Sequence, residues 1–237
     1  MIKREVLKYY STISTRYDIL RFSSAKERVI SNLQIVWFLR NLKNDGICLE
    51  IGCGTGRVTR FLIKNTEILI SIEVSREMVE INRNKHRNNN QHYIICDAHN
   101  LPFREKTFDC VVGARVFWHL ENFTKALREA SRVLKAKGVL LYDFPSLLGP
   151  FSLYSKFRRV KHDVLTLFTT RRVMKEIFKS GYHVTFSGNT SIYLFFVPNK
   201  CLRYKLVLKL VQLLEELNYG IFNECIFSYH LIKVIKL

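Results

Sequence analysis

What most constrains this chain is a succession of short runs that are apolar on both faces. ICLEI (47–51), ILISIE (68–73), HYIIC (92–96), FDCVVG (108–113) and VLLYDF (139–144) are strand-length, and helix-like stretches separate most of them. A strand without a polar face must be covered on both sides, and helical crossovers between such strands keep them parallel. The expected class is α/β, a mostly parallel sheet with helices on both faces. The intervening pattern agrees. Val58, Phe61 and Leu62 suggest a helix after the first run, and Ser75 is an N-cap candidate ahead of Met78, Val79 and Asn82. Phe123, Ala126, Leu127, Ala130, Val133 and Leu134 recur at 3.6 spacing and predict a helix over 122–136, stopped by Gly138. An amphipathic helix over 25–43 shows Val29, Leu33, Val36 and Trp37 on one face. Beyond Pro145 the pattern predicts helices at 170–180 and 201–217 and strands at 182–187 and 225–237.

At about 150 residues per domain, 237 residues allow one large α/β domain. The net charge is +18, and it is unevenly placed: +6 in residues 1–44, +3 in 45–144 and +9 in 145–237. Basic flanks suit nucleic acid, anionic lipid or an acidic small molecule, or they simply keep an apolar protein dissolved. The six cysteines include no C-x-x-C pair, and three lie in apolar runs, as reduced core thiols do. The longest all-apolar run is IYLFFV (192–197), too short to span a bilayer, and the start lacks an apolar leader. A cytoplasmic location is expected, with peripheral membrane contact through helix 201–217 left open.

LEIGCGTGR (49–57) follows a strand and opens a helix. Three glycines alone make a tight turn as readily as a ligand loop. An acid at the entrance, Glu50, disfavours a pyrophosphate and favours a cationic or hydroxyl-bearing ligand. Glu73 ends the second strand, where a carboxylate can accept two ribose hydroxyl bonds, and Asp97 ends the third, where one can accept an adenine amino proton.

LEIGCGTGR, Glu73, CDAHNLPF (96–103), FDCVVGARVFWHLEN (108–122) and ALREASRVLKAKGVLLYDF (126–144) together resemble the ordered motifs of class I S-adenosylmethionine-dependent methyltransferases, closest to the type 11 small-molecule branch. The resemblance implies a Rossmann-like fold, a seven-stranded mostly parallel sheet with its last strand antiparallel. It divides one domain into a helical cap (1–44), a cofactor-binding core (45–144) and a substrate-covering part (145–237). It also implies S-adenosylmethionine as cofactor. Glu50 would orient the methionine amino group, and Gly52, Cys53, Gly54 and Gly56 would carry the methionine portion. Glu73 would take the ribose, Val74 and Met78 would flank the adenine, and Asp97 and Ala98 would meet its amino group. Ala114 and Arg115 would approach through their backbone, and Tyr17, with Tyr10, would form a lid. The sequence departs from the branch at Glu73 (commonly Asp), Lys137 (commonly Pro) and Trp118 (often His).

Methyl transfer needs in-line alignment and exclusion of water, and a base only when the acceptor must lose a proton. His119 is the candidate base, with capping or packing of the next helix as the plain alternative. Phe117 and Trp118 are candidate pocket walls, one of them core; no His/Cys cluster has metal-ligand spacing. The aromatics and arginines of 145–200 suit a small or lipid-like acceptor methylated on O, N or C. The alternative acceptor is RNA, a tRNA included. A non-catalytic binding module and a nicotinamide oxidoreductase complete the competing classes.

Overall fold

The computed structural model describes residues 4–42, 46–145, 182–190, 209 and 229–236. Helices α1 (Arg4–Ile13), α2 (Tyr17–Phe22) and α3 (Ala25–Asn41) come first. They are followed by β1 (Ile47–Ile51), α4 (Thr59–Leu62), β2 (Ile68–Glu73), α5 (Arg76–Lys85), β3 (Gln91–Ile95) and β4 (Phe108–Gly113). Next come α6 (Phe123–Val133), β5 (Leu134–Pro145), β6 (Tyr182–Thr190) and β7 (Tyr229–Lys236). The helices at 170–180 and, apart from Lys209, at 201–217 lie outside the described residues.

The strands make one sheet in the order β3-β2-β1-β4-β5-β7-β6. Every pair from β3 to β5 is parallel, and β7 runs antiparallel to both β5 and β6. The sheet is Rossmann-like, and the chain reverses its direction of winding between β1 and β4. That switch leaves a crevice beyond the carboxyl ends of the two strands.

Alternation along the apolar strands fills both faces. Leu49, Ile51, Val111, Leu140 and Tyr142 pack under α6 with Ala126, Leu127 and Ala130. Cys48, Cys110, Val112, Val139 and Leu141 pack on the opposite face with Phe38, Leu62 and Leu69. Helix α3 feeds both clusters, Val29, Ile30 and Leu33 into the first and Ile35, Trp37 and Phe38 into the second. Its buried surface is therefore wider than the single stripe read from the sequence, and Val36 is only half-buried.

The helix expected to reach 136 ends at Val133, and Gly138 does not stop it. Leu134 is already extended and pairs with Phe108; the register slips before Cys110 meets Val139, and Lys137 takes φ 58° in between. Leu134 fitted the helical period because it is buried, but its burial comes from strand pairing. Lys236 of β7 caps the helix end, donating from Nζ to the carbonyls of Ser131 and Leu134 at 2.7 Å each.

Candidate active site

The crevice is floored by the glycine loop and roofed by α1 and α2. Gly52 and Cys53 donate their N–H groups to the Ile72 carbonyl at 2.8 and 3.1 Å, which ties the loop to β2. Gly52 has φ +68°, and a Cβ there would stand 2.5 Å from Val116 Cγ2. Gly54, at φ +50°, faces open space instead. Gly56 does not line the crevice; it lets α5 come close, with Asn82 Oδ1 2.5 Å from where its Cβ would be.

One wall is acidic. Glu73 folds back at the end of β2 and accepts from the N–H groups of Gly54 (3.1 Å), Val74 (2.8 Å) and Ser75 (3.2 Å). Glu50 is almost wholly buried and accepts from the hydroxyls of Thr59 (2.8 Å) and Ser71 (2.8 Å). Burial pushes its pKa to about 7 against these bonds, and burial also raises that of Glu73. Val74 and Met78 continue this wall, Met78 at the start of α5, where the Ser75 hydroxyl caps its N–H. Cys53 lines the floor as an inert thiol, its pKa driven up by burial.

The facing wall is basic. Arg115 follows β4 with φ 57°, and its N–H donates to Asp143 Oδ1 at 2.6 Å. Its side chain donates to Gln34 Oε1 (2.9 Å) and Glu27 (3.1 Å). Arg57 donates to Ser31 (3.0 Å) and Gln34 (3.3 Å), and Gln34 donates to Asp143 Oδ2 (2.8 Å). Both guanidinium carbons lie under 6 Å from the centre of the Phe22 ring, at 5.7 and 5.6 Å. An arginine in the left-handed region is strained, and the carboxylate of Asp143 holds it there. Ala114 and Ala98 complete the lining.

The roof is tied down by hydrogen bonds: Ser11 to Ser75 (3.3 Å) and Asp18 to both Thr55 Oγ1 (2.6 Å) and Lys85 (2.5 Å). Beneath it Tyr10 and Tyr17 line the crevice. The Tyr10 hydroxyl sits off the ring edge of His119, 3.1 Å from Nε2 and 3.4 Å from Nδ1. Phe117 is fully buried against Phe123 and Tyr142 and is core. Trp118 shares the short turn Phe117–His119, and its side chain lies outside what is described.

Asp97 does not line the crevice. Its Oδ1 accepts from the backbone N–H of His99 (2.9 Å) and meets His99 Nδ1 at 2.6 Å. Asn122 N–H donates to Nε2 of the same ring (3.2 Å), so Nε2 is bare and Nδ1 carries the proton that Asp97 accepts. Buried His99 thus couples Asp97 to the cap of α6. His99, Gln34, Arg57 and Asp143 went unassigned from the sequence. Asp143 was visible as the lone acid in VLLYDF, and Gln34 as a polar residue among the apolar positions of α3.

Residues 49–142 match a family described as "Methyltransferase domain". Residues 49–142 are thus a methyltransferase domain. A demethylmenaquinone methyltransferase of Thermotoga maritima is 26% identical over 215 residues, 78% of this chain and 90% of that protein. The ubiquinone/menaquinone biosynthesis C-methyltransferase UbiE of Blochmanniella pennsylvanica is 34% identical over 168 residues, 63% of this chain and 64% of that one. A mouse protein named "Probable tRNA methyltransferase 9B" is 32% identical over 133 residues, and the match spans 27% of its length. Among solved structures, a Thermotoga maritima S-adenosylmethionine-dependent methyltransferase titled a possible histamine N-methyltransferase superposes with TM-score 0.72 at 20% identity, over 98% of this chain and 100% of that one, a likeness of fold. Among the described residues of the chain no helix is long and apolar enough to cross a membrane, and no cluster of His, Cys, Asp or Glu could hold a metal ion.

Proposed function

We propose that this methyltransferase methylates a ring carbon of a small, lipid-like quinol in the cytoplasm, with 1–44 as cap, 45–144 as cofactor core and 145–237 as substrate cover. The observation that carries the reading is the mixed lining of the crevice. Tyr10, Tyr17, Phe22 and Leu120 line the same space as Glu73, so apolar, aromatic side chains adjoin a polar wall. That suits a flat aromatic ring on an apolar tail. The quinone methyltransferases among its relatives point the same way.

The cradle fits S-adenosylmethionine. Open space at Gly54 admits a ligand against the backbone, and Glu73, which lines the crevice, would accept from the ribose hydroxyls with the lone pairs its three backbone bonds leave over. Bound S-adenosylmethionine supplies an electrophilic methyl group on a sulfonium. Gly52, Cys53 and Gly54 would carry its methionine portion on a loop that Gly56 shapes from behind, and Glu50 would orient the amino group. Val74 and Met78 would flank the adenine with Ala98 beside it, and Asp97, outside the lining and held by His99, would reach its amino group only by turning in. Ala114 and Arg115 would bound the methionine end. Tyr17 closes the roof, and burial pushes its pKa up, so it stays a neutral phenol that excludes water. His119, which lines the crevice and is bonded to Tyr10, would take the proton an acceptor must lose, and Trp118 in the same turn is a candidate wall of the acceptor pocket.

The test is direct. Purified protein with methyl-labelled cofactor is given a reduced demethylmenaquinol bearing a short prenyl tail, and in parallel unmodified tRNA. Label extracted into organic solvent on the quinol ring is expected. Label that stays with RNA and is released by RNase would replace this reading with the RNA one.

A further inference from the structure

The lid helix α2 turns two of its six side chains away from the protein. Tyr17 and Phe22 line the crevice, and Asp18 is tied to Thr55 and Lys85. Ile19 and Leu20 are left pointing outward, 70% and 59% exposed, the most exposed large apolar side chains among the described residues. Around this tip the charge is positive. Arg16 precedes it, Arg21 follows with its guanidinium 6.0 Å from the Tyr17 ring, and Arg28 reaches the carbonyls of Phe22 and Ser23 at the helix end. The neighbouring acids are each held by a cation, Asp18 by Lys85, with its side chain 45% exposed, and Glu27 by Arg115.

We propose that the outer face of α2 is a docking surface for an anionic lipid bilayer. Ile19 and Leu20 enter the acyl boundary, and Arg16, Arg21 and Arg28 meet the headgroups. The inference rests on the lipid-like acceptor argued above and deepens it. The same helix carries Tyr17 and Phe22 on its inner side, so a prenyl-bearing ring can pass from bilayer to crevice around one turn of helix. Two apolar side chains with a basic ring give weak, reversible, salt-sensitive binding to a membrane. They are far too small a patch for a second copy of the chain, since a stable interface needs roughly 800 Å² from each partner.

The full-length protein is floated with phosphatidylcholine vesicles, with and without phosphatidylglycerol, at low and high salt. Binding to the phosphatidylglycerol vesicles alone, weakened by salt, is expected. The double substitution Ile19→Ser, Leu20→Ser should weaken it by about tenfold while the calorimetric affinity for S-adenosylhomocysteine stays unchanged. Absence of flotation, or equal flotation of the double variant, overturns the proposal. So does a dimer in sedimentation that the double variant dissolves, because the surface then belongs to a second copy. Flotation needs no acceptor, so protein that floats but leaves the quinol unmethylated keeps this surface and loses only the proposed substrate.

Discussion

The two walls of the crevice each bury a carboxylate, and they support it differently. Glu50 on β1 is bonded by hydroxyls that lie 9 and 21 residues away, Thr59 and Ser71. Asp143 on β5 is bonded by the N–H of Arg115, 28 residues away, and the amide of Gln34, 109 residues away, with Arg57 and Arg115 supplying positive charge nearby. Burial raises both, Glu50 to about 7 and Asp143 to about 6. The acidic wall is a local device that a strand, a loop and a helix start can carry between them. The basic wall exists only once α3 has docked across the sheet, and the left-handed turn at Arg115 depends on it.

Breaking the basic wall should have the largest effect. Asp143→Ala leaves the Arg115 N–H and the Gln34 amide without their common acceptor, removes the negative charge beside the Arg57 and Arg115 guanidiniums, and frees a strained backbone. The expected loss is about 3–5 kcal/mol of stability in urea unfolding, the cost of removing one partner from a buried charged network. Asp143→Asn keeps the shape and an acceptor oxygen for the Arg115 N–H, and should cost roughly 1–2 kcal/mol. Equal losses for the two would mean that packing, not charge, holds the wall.

The acidic wall can be separated from it by pH. The folded-state pKa of Glu50 is raised from the ordinary 4.5 to about 7, so the folded protein holds that proton more tightly than the unfolded chain does. Its contribution to stability is full below about pH 4.5 and is lost as pH rises through 7. Glu50→Gln cannot ionise. It should be more stable than the parent by about 2–3 kcal/mol at pH 8 and indistinguishable at pH 4, while its affinity for S-adenosylmethionine falls. A stability difference that does not change with pH would remove Glu50 as the titrating group.

What could be read in the sequence divides along the same line. Strands β1, β2 and β4 fall on the residues their apolar runs marked, because a strand buried on both faces needs no distant information to be recognised. The glycine turn after β1 and the Ser75 cap were legible for the same reason, each lying within a few residues of what it serves; the clasp of Glu73 on the Gly54 N–H, 19 residues away, was not. Leu134 misled, because burial in a strand and burial on a helix give one apolar residue the same appearance. Asp97 stood in the expected place, but its partner His99 is set by Asn122, which arrives only with α6. Gln34 and Asp143 are far apart in sequence, and nothing in either residue announces the other.

Within the acidic wall, Glu73 and Gly54 are bonded to each other, so the proposed ligand site can be probed from either side. Glu73→Ala should weaken cofactor binding by roughly 1.5–3 kcal/mol in calorimetry, the worth of hydrogen bonds to a charged acceptor. It also releases three backbone N–H groups, so Glu73→Gln is the control: it keeps acceptor capacity for the loop, and a smaller loss is expected from it. Gly54→Ala is the mildest change. Its φ of +50° strains any side chain, while no heavy atom lies within 4 Å of the new methyl, so stability should fall by only about 1 kcal/mol. The same methyl would project into the space proposed for the cofactor. Cofactor affinity that falls while the fold barely notices locates the ligand on the loop; affinity that tracks only the small loss of stability moves it off the loop and leaves Glu73 as a purely structural clasp.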